Sequence, residues 1–239
     1  MSETAAIWHD VECGAYEADL SLWEELAERC GGPVLDLGCG TGRVALHLAR
    51  RGHEVIAVDR DPDLVLSLAE RAAGLPVEPV CRDALDLELS EEAELALAPM
   101  QFLQLLRSSH SRVRCLRRVA AALRPGGVLA AAIVERLPRR TGDFRPLPDV
   151  REVDGWVYSS LPLYVGIGDG RIFLKRLRQT VSPGGDLTDE VDEVHLCMLN
   201  VTELVAEAES AGLSPVGQER IPSTELHVGS RVVLFERSR

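Results

Sequence analysis

The sequence is short of positive charge. Its 26 Lys and Arg stand against 38 Asp and Glu, a formal net charge of −12. An acidic surface repels phosphate backbones, so RNA and DNA are not expected partners. The one local exception, Arg112, Arg114, Arg117 and Arg118, has the spacing of a solvated helix face. Long apolar runs are missing too. The longest, Val128 to Val134, is too short to span a bilayer, and the first ten residues lack the basic start and apolar core of a signal peptide. A cytoplasmic protein with no membrane partner is expected. The six cysteines, at 13, 30, 39, 81, 115 and 197, form no Cys-x-x-Cys and no cysteine–histidine pair at metal-ligand spacing. That predicts reduced thiols and no metal site. What is present suits a globular chain: 46% hydrophobic and 27% charged residues, long enough for one α/β domain with an elaboration.

The chain is organised around Val34-Leu35-Asp36-Leu37-Gly38-Cys39-Gly40-Thr41-Gly42-Arg43. A short apolar run carries a carboxylate, glycines alternate after it, and Val44 to Ala49 reads as a helix. This is a buried strand ending in a glycine turn that opens a helix. Glycine permits a sharp turn and a close ligand approach, and a helix start presents free N–H groups. Two nucleotide motifs fail here. The dinucleotide fingerprint needs a sixth-position glycine where Arg43 stands, and no Gly-Lys-Ser/Thr is present. Asp36, at the mouth of the turn, repels a pyrophosphate and attracts an ammonium or a hydroxyl.

Further strands and helices alternate. Residues 1–12 read as loosely ordered, and Leu20, Trp23, Leu26 and Ala27 give a helical period before Gly31-Gly32-Pro33. Glu54 to Asp59 is a second strand, placing Asp59 where a carboxylate reaches a ribose diol. Asp61 and Pro62 have the pattern of a helix cap and first helical residue. Pro76 to Cys81 is the third strand, followed by Asp83, suited to accept from an adenine amine. Ala93 to Ala98 is the fourth, so Ala98 to Gln104 should border the ligand crevice. Arg112 to Arg124 reads as a helix broken by Pro125-Gly126-Gly127, and Val128 to Val134 as the fifth strand. An irregular connection through Pro138, Pro146 and Pro148 then leads to hairpins around Gly168-Asp169-Gly170 and Ser182 to Asp186, with Val191 to Met198 alternating again. Asn200 and Glu203 have the spacing of a capping box, and Leu213 to Gln218 and Arg231 to Glu236 are the last strands. The pattern predicts a doubly wound, mostly parallel, seven-stranded Rossmann-like sheet with a small antiparallel meander inserted after the fifth strand.

Val34 to Arg43, Val55 to Pro62, Arg82-Asp83 and Leu123 to Gly127, in this order and spacing, resemble the class I S-adenosylmethionine-dependent methyltransferases. Tyr16-x-x-Asp19-Leu20 and the inserted strands resemble their small-molecule branch. The resemblance implies one methyltransferase domain over 1–239: an N-terminal helical lid (1–32), a cofactor-binding core (33–135), inserted antiparallel strands (136–197), and a final helix and strands (198–239). It implies S-adenosyl-L-methionine as cofactor, with Asp36 near the methionine amino group and Gly38, Cys39 and Gly40 lining the methionine and ribose. Asp59 then binds the ribose hydroxyls, Arg60 flanks the adenine, Asp83 and Ala84 meet its edge, Ala98 contacts the ammonium, and Tyr16 closes over the cofactor.

The implied reaction is in-line transfer of the sulfonium methyl to an O or N of a small molecule, by a monomer or homodimer. A hydroxyl acceptor would need a base; His110 is the candidate catalytic residue, with His195 weighed beside it, and Gln101 and Gln104 are candidate substrate-orienting amides. Trp156, Tyr158 and Tyr164 are expected to pack the hairpins rather than line a pocket. The Asn/Asp-Pro-Pro-Tyr signature of nucleic-acid amino methyltransferases is absent, since Ala98-Pro99-Met100-Gln101 stands there. The alternative is a non-catalytic module that binds S-adenosylmethionine or S-adenosylhomocysteine in a sensing or partner role.

Overall fold

The structure is a computed structural model that describes residues 2–137, 147–224 and 227–238. Strands β1 (Val34–Leu37), β2 (Val55–Asp59), β3 (Val77–Cys81), β4 (Ala93–Ala98), β5 (Leu123–Ile133), β10 (Leu213–Ile221) and β11 (Ser230–Arg237) form one sheet in the order β10-β11-β5-β4-β1-β2-β3. The five strands from β5 to β3 are mutually parallel, and β11 runs antiparallel to both its neighbours. The chain winds outward from β1 through β2 to β3, then returns to place β4 on the other side of β1. That reversal puts a crevice at the carboxyl ends of β1 and β4.

Burial on both faces explains the near-continuous apolar runs of the central strands. Leu35, Leu37, Ile56 and Val58 pack with α6 (Ser109–Ala122) and α7 (Val201–Glu209). Val34, Val55, Ala57, Leu95 and Leu97 pack with α2 (Leu20–Cys30), α3 (Arg43–Ala49) and Leu68 of α4 (Pro62–Arg71). The caps fall where the residues predict. Asp61 accepts from the Asp63 and Leu64 amides, and Asn200 and Glu203 form a complete capping box.

A second, four-stranded antiparallel sheet holds β6 (Asp149–Val153), β7 (Trp156–Gly168), β8 (Arg171–Val181) and β9 (Leu187–Cys197) in that order. Asp154-Gly155 and Asp169-Gly170 join its first two hairpins with positive φ at both residues, the geometry that Asp-Gly favours. Pro138 and Pro146 of the predicted irregular connection lie outside the described residues. No helix among the described residues is long and apolar enough to cross a membrane.

Several expectations are corrected. Residues 1–12 are not loose: Ser2–Cys13 form α1. Its apolar stripe is thin (Ala6, Trp8 and Val11 are the buried members), so periodicity alone does not reveal it. The fifth strand starts at Leu123, and Pro125-Gly126-Gly127 is an irregularity within it rather than a break before it. Arg112 is not solvated; it is buried on α6 and makes a two-pronged pair to Glu207 of α7 at 2.8 and 2.6 Å. Trp156 and Tyr164 do not pack the hairpins, being 42% and 55% exposed, whereas Tyr158 is buried.

Gln104, on the short helix α5 (Phe102–Leu105), is not a substrate amide. It is fully buried. Its Nε2 donates to the Val134 and Cys197 carbonyls at 3.1 and 2.9 Å, and its Oε1 accepts from the Val134 amide at 2.8 Å. One side chain thus fastens the end of β5 to the end of β9. Gln104→Leu keeps the volume but leaves those backbone groups unpaired, and urea unfolding should show a loss of about 2–4 kcal/mol.

Candidate active site

The turn after β1 is built to be gripped. Gly38 and Gly40 have φ of 66° and 56°, which L-residues rarely adopt. Space forbids a side chain as well: a Cβ on Gly38 would strike the Phe102 ring, and one on Gly40 would strike the His9 imidazole. At both positions the room left by the missing Cβ is taken by a protein side chain. The glycine spacing therefore serves the approach of α5 and α1 to the turn.

Asp36 sits at the base of the turn. It follows Val34 by two residues, so its carboxyl lies on the α3 face of the sheet. It is 1% exposed, and neither oxygen has a hydrogen-bond partner; among the described residues these are the only buried side-chain polar atoms so placed. Burial pushes its pKa up to about 7, against the pull of the Arg43 guanidinium and of the Ala45 amide, which approaches without closing a full hydrogen bond. A buried carboxylate without a partner is costly, and such sites cluster where a ligand supplies what is missing. An ammonium fits this donor demand.

Asp59 closes the crevice on the β2 side. Its Oδ2 accepts from the Gly40 amide and its Oδ1 from the Asp61 amide, both at 3.0 Å. Each oxygen retains a lone pair for a further donor, as a diol requires. Arg60 beside it is exposed and Asp83 is half-buried. The Asp83 Oδ1 caps the short turn Ala84–Asp86 by accepting from the Leu85 amide. Ala84, Cys39 and Ala98 are buried. The Cys39 thiol donates weakly to the Gly40 carbonyl, and burial pushes its pKa up, so it is not a nucleophile.

At the end of β4, Met100 and Gln101 both have positive φ (44° and 61°). Two consecutive left-handed non-glycine residues are strained, and strain concentrates at ligand-facing turns. Gln101 Nε2 donates to Ser230 Oγ at 2.9 Å, which ties this turn to the start of β11. His110 lies exposed in the first turn of α6. His195 lies on β9, hydrogen-bonded to Glu193 and packed edge-on against Phe173. No contact among the described residues joins either histidine to the glycine turn.

The N-terminal segment meets the glycine turn through contacts that the sequence did not reveal. Arg43, which had served only to exclude the dinucleotide fingerprint, donates to the Tyr16 carbonyl (2.8 Å) and to both oxygens of buried Asp19 (2.6 and 2.8 Å). Its guanidinium also lies over the Tyr16 ring, 5.2 Å from the centroid. Tyr16 also meets His227, ring centroids 4.7 Å apart. Burial holds the His227 pKa low and lifts that of Tyr16 to about 12. On α1, Asp10 accepts from Thr41 Oγ1 in the glycine turn (2.6 Å), from Arg71 on α4 (2.9 and 2.7 Å) and from Arg151 on β6 (2.9 Å). Glu12 makes a two-pronged pair with Arg178 and accepts from Ser160. Trp8 stacks edge-on against Tyr158 at 5.3 Å. Helix α1 thus joins the glycine turn to the second sheet. A groove of about 610 Å³ flanks α1, bordered by Val11, Thr41, Gly42, Arg71 and Arg151, and does not include Asp36, Asp59, Asp83 or Ala98.

Residues 34–127 match a family model described as a methyltransferase domain. These residues are similar to that domain over less than half of the chain. The resemblance to the class I S-adenosylmethionine-dependent family is thereby borne out, and the match covers β1 through the early part of β5. Among curated relatives, the chain is 34% identical over 130 residues to an S-adenosyl-L-methionine-dependent Diels-Alderase of Talaromyces variabilis, across 53% of this chain and 44% of that protein. It is 33% identical over 97 residues to the cypemycin N-terminal methyltransferase of a Streptomyces species, across 41% of this chain and 40% of that one. The chain therefore spans about half the length, or less, of these relatives.

Solved structures match over almost the whole chain. The sugar N-methyltransferase KedS8 from Streptoalloteichus has a TM-score of 0.75 at 17% identity, covering 98% of this chain and 92% of that one. CalS10, an amino pentose methyltransferase from Micromonospora echinaspora, has 0.74 at 17% identity, covering 97% of each. At these identities the likeness shows the fold.

The protein carries Asp36 at a cost that depends on pH. An acid whose pKa rises from 3.8 unfolded to about 7 folded destabilises the native state progressively as pH climbs between those values. Asp36→Asn has no charge to expel. Its stability relative to the parent should improve by about 4 kcal/mol between pH 4 and pH 8, read by urea unfolding at both. A pH-independent difference would contradict the assignment.

Proposed function

We propose that this chain is a small-molecule methyltransferase that uses S-adenosylmethionine, and that Asp36, Asp59 and Asp83 are the carboxylates that hold the cofactor. The observation that carries the reading is the buried Asp36 carboxylate, whose oxygens have no full hydrogen-bond partner among the described residues and whose charge complements an α-ammonium. Asp59 accepts from the ribose diol beside the two amides it already accepts. Asp83 and Ala84 border the adenine, Arg60 flanks it, and the strained turn after Ala98 faces the methionine end. Tyr16, in contact with Arg43 and His227, closes the site from the N-terminal side.

When bound, the cofactor supplies an activated methyl group for in-line displacement by an oxygen or nitrogen of the acceptor. The protein's task is then to position, to exclude water and, for a hydroxyl acceptor, to remove a proton. His227 is better placed for the last task than His110 or His195. It lies half-buried against Tyr16, and its lowered pKa keeps the imidazole neutral near pH 7. Helix α1 acts as the lid over the core, and the second sheet forms the acceptor side, pinned to the lid by Asp10 and Glu12.

Calorimetric titration with S-adenosylmethionine and S-adenosylhomocysteine tests the reading. Both should bind saturably. Asp59→Ala should weaken binding by about 1.5–3 kcal/mol through loss of charge-assisted hydrogen bonds to the ribose. Absence of binding by the parent protein overturns the cofactor assignment, and unchanged affinity in the variant overturns the role of Asp59.

A further inference from the structure

We infer that His9 supplies a second hydrogen-bond acceptor for the ribose of the bound nucleoside, acting beside Asp59 across the glycine turn. The inference rests on the cofactor reading above and adds to it a residue from α1.

Position comes first. The His9 ring packs on Gly40, where a Cβ would otherwise stand, and its Nε2–Cε1 edge makes the approach. The Gly40 amide donates to Asp59. The imidazole edge and the carboxylate therefore flank one and the same residue of the turn.

The polar groups behind the ring fix where its proton lies. Arg71 and Arg151 can only donate, so the Asp10 carboxylate they surround is an ionised acceptor. Against the penalty of burial, Arg71, Thr41 and Arg151 hold the Asp10 carboxyl below its usual range. Thr41 has one hydroxyl proton, and it is directed to Asp10 Oδ1, 2.6 Å away. Toward His9 Nδ1, at 3.1 Å, Thr41 Oγ1 can therefore offer only a lone pair. Nδ1 must carry the ring proton. In the neutral imidazole Nε2 is then a bare acceptor.

Nε2 has no hydrogen-bond partner among the described residues, and it is not one of the sealed, unpartnered atoms, which are the two oxygens of Asp36. It therefore keeps some contact with solvent, on the ring edge that faces Gly40. Burial pushes the His9 pKa below its usual value, against Asp10, Asp59 and Glu12 nearby, and Arg43 adds to the lowering. The ring is neutral at pH 7 and accepts. A ribose brings two hydroxyl protons, and the site offers two kinds of acceptor. Asp59 takes one hydroxyl and Nε2 the other.

The test uses titration calorimetry of the full chain with 5′-methylthioadenosine and its 2′-deoxy and 3′-deoxy forms. Both deoxy forms should bind the parent protein more weakly than the ribonucleoside, the one that lacks the hydroxyl facing Nε2 by about tenfold. His9→Phe, which keeps the ring and removes the acceptor, should bind that deoxy form and the ribonucleoside equally. Full discrimination by His9→Phe at both hydroxyls overturns the inference while leaving the cofactor reading intact. No binding of any nucleoside or of S-adenosylhomocysteine by the parent protein overturns the cofactor reading itself. Nitrogen-15 NMR of the unsubstituted protein gives a readout that needs no variant: the proton should be on Nδ1, and Nε2 should shift when the ribonucleoside binds. A protonated Nε2 at pH 7 overturns the inference.

Discussion

A carboxylate shut away from water without a hydrogen bond is the constraint around which this molecule is arranged. Asp36 could be relieved by a serine or an amide from a neighbouring strand, yet its neighbours are Val34, Leu35, Leu37 and the apolar start of α3. The nearest cation, Arg43, is committed to Asp19 and the Tyr16 carbonyl. The protein bears a destabilising charge at the carboxyl end of its central strand, and in the proposed function the missing donor arrives from outside. Local cost at a functional site, borne by a well-packed scaffold, is the usual relation between stability and activity.

The glycine turn ties that carboxylate to the rest of the chain. With no Cβ at Gly38 or Gly40, Phe102 and His9 press directly on its backbone. The two side chains come from opposite ends of the architecture: α5 follows β4, and α1 opens the chain. Asp10 extends the same grip to α4 and β6, and Glu12 extends it to β7 and β8. Gln104 fastens the second sheet at the other side by joining Val134 and Cys197. The second sheet is thus attached at both ends by polar groups, with the small apolar cluster of Trp8, Val11 and Tyr158 beside them. Such attachments fix geometry more sharply than they add stability.

Much of this was legible in the sequence. The strand–turn–helix at 34–49, the cap at Asp61, the capping box at Asn200 and the meander all follow from local rules that act within a few residues. The parts that were not legible depend on partners far away in the chain. Helix α1 has only a thin apolar stripe and owes its place to Asp10 and Glu12, whose partners lie as far along as Arg178. Arg112 looks like a surface residue until α7 brings Glu207 to it from 95 positions away. Gln104 looks like a crevice amide because nothing local shows that two strand ends converge on it. His9 and His227 lacked any motif, and their environments are assembled wholly by tertiary contacts.

The central claim is that the Asp36 carboxylate is kept for a ligand ammonium. Proton linkage tests it most directly. Calorimetry at pH 7 in buffers of different ionisation enthalpy measures the protons exchanged when S-adenosylhomocysteine binds. With a pKa near 7 in the free protein, an arriving ammonium should drive Asp36 to full ionisation and release about half a proton. The release should vanish in Asp36→Asn and with 5′-methylthioadenosine, which has no ammonium. Tight binding of S-adenosylhomocysteine with no proton release, or equal release with the nucleoside that lacks the amino group, would contradict the account.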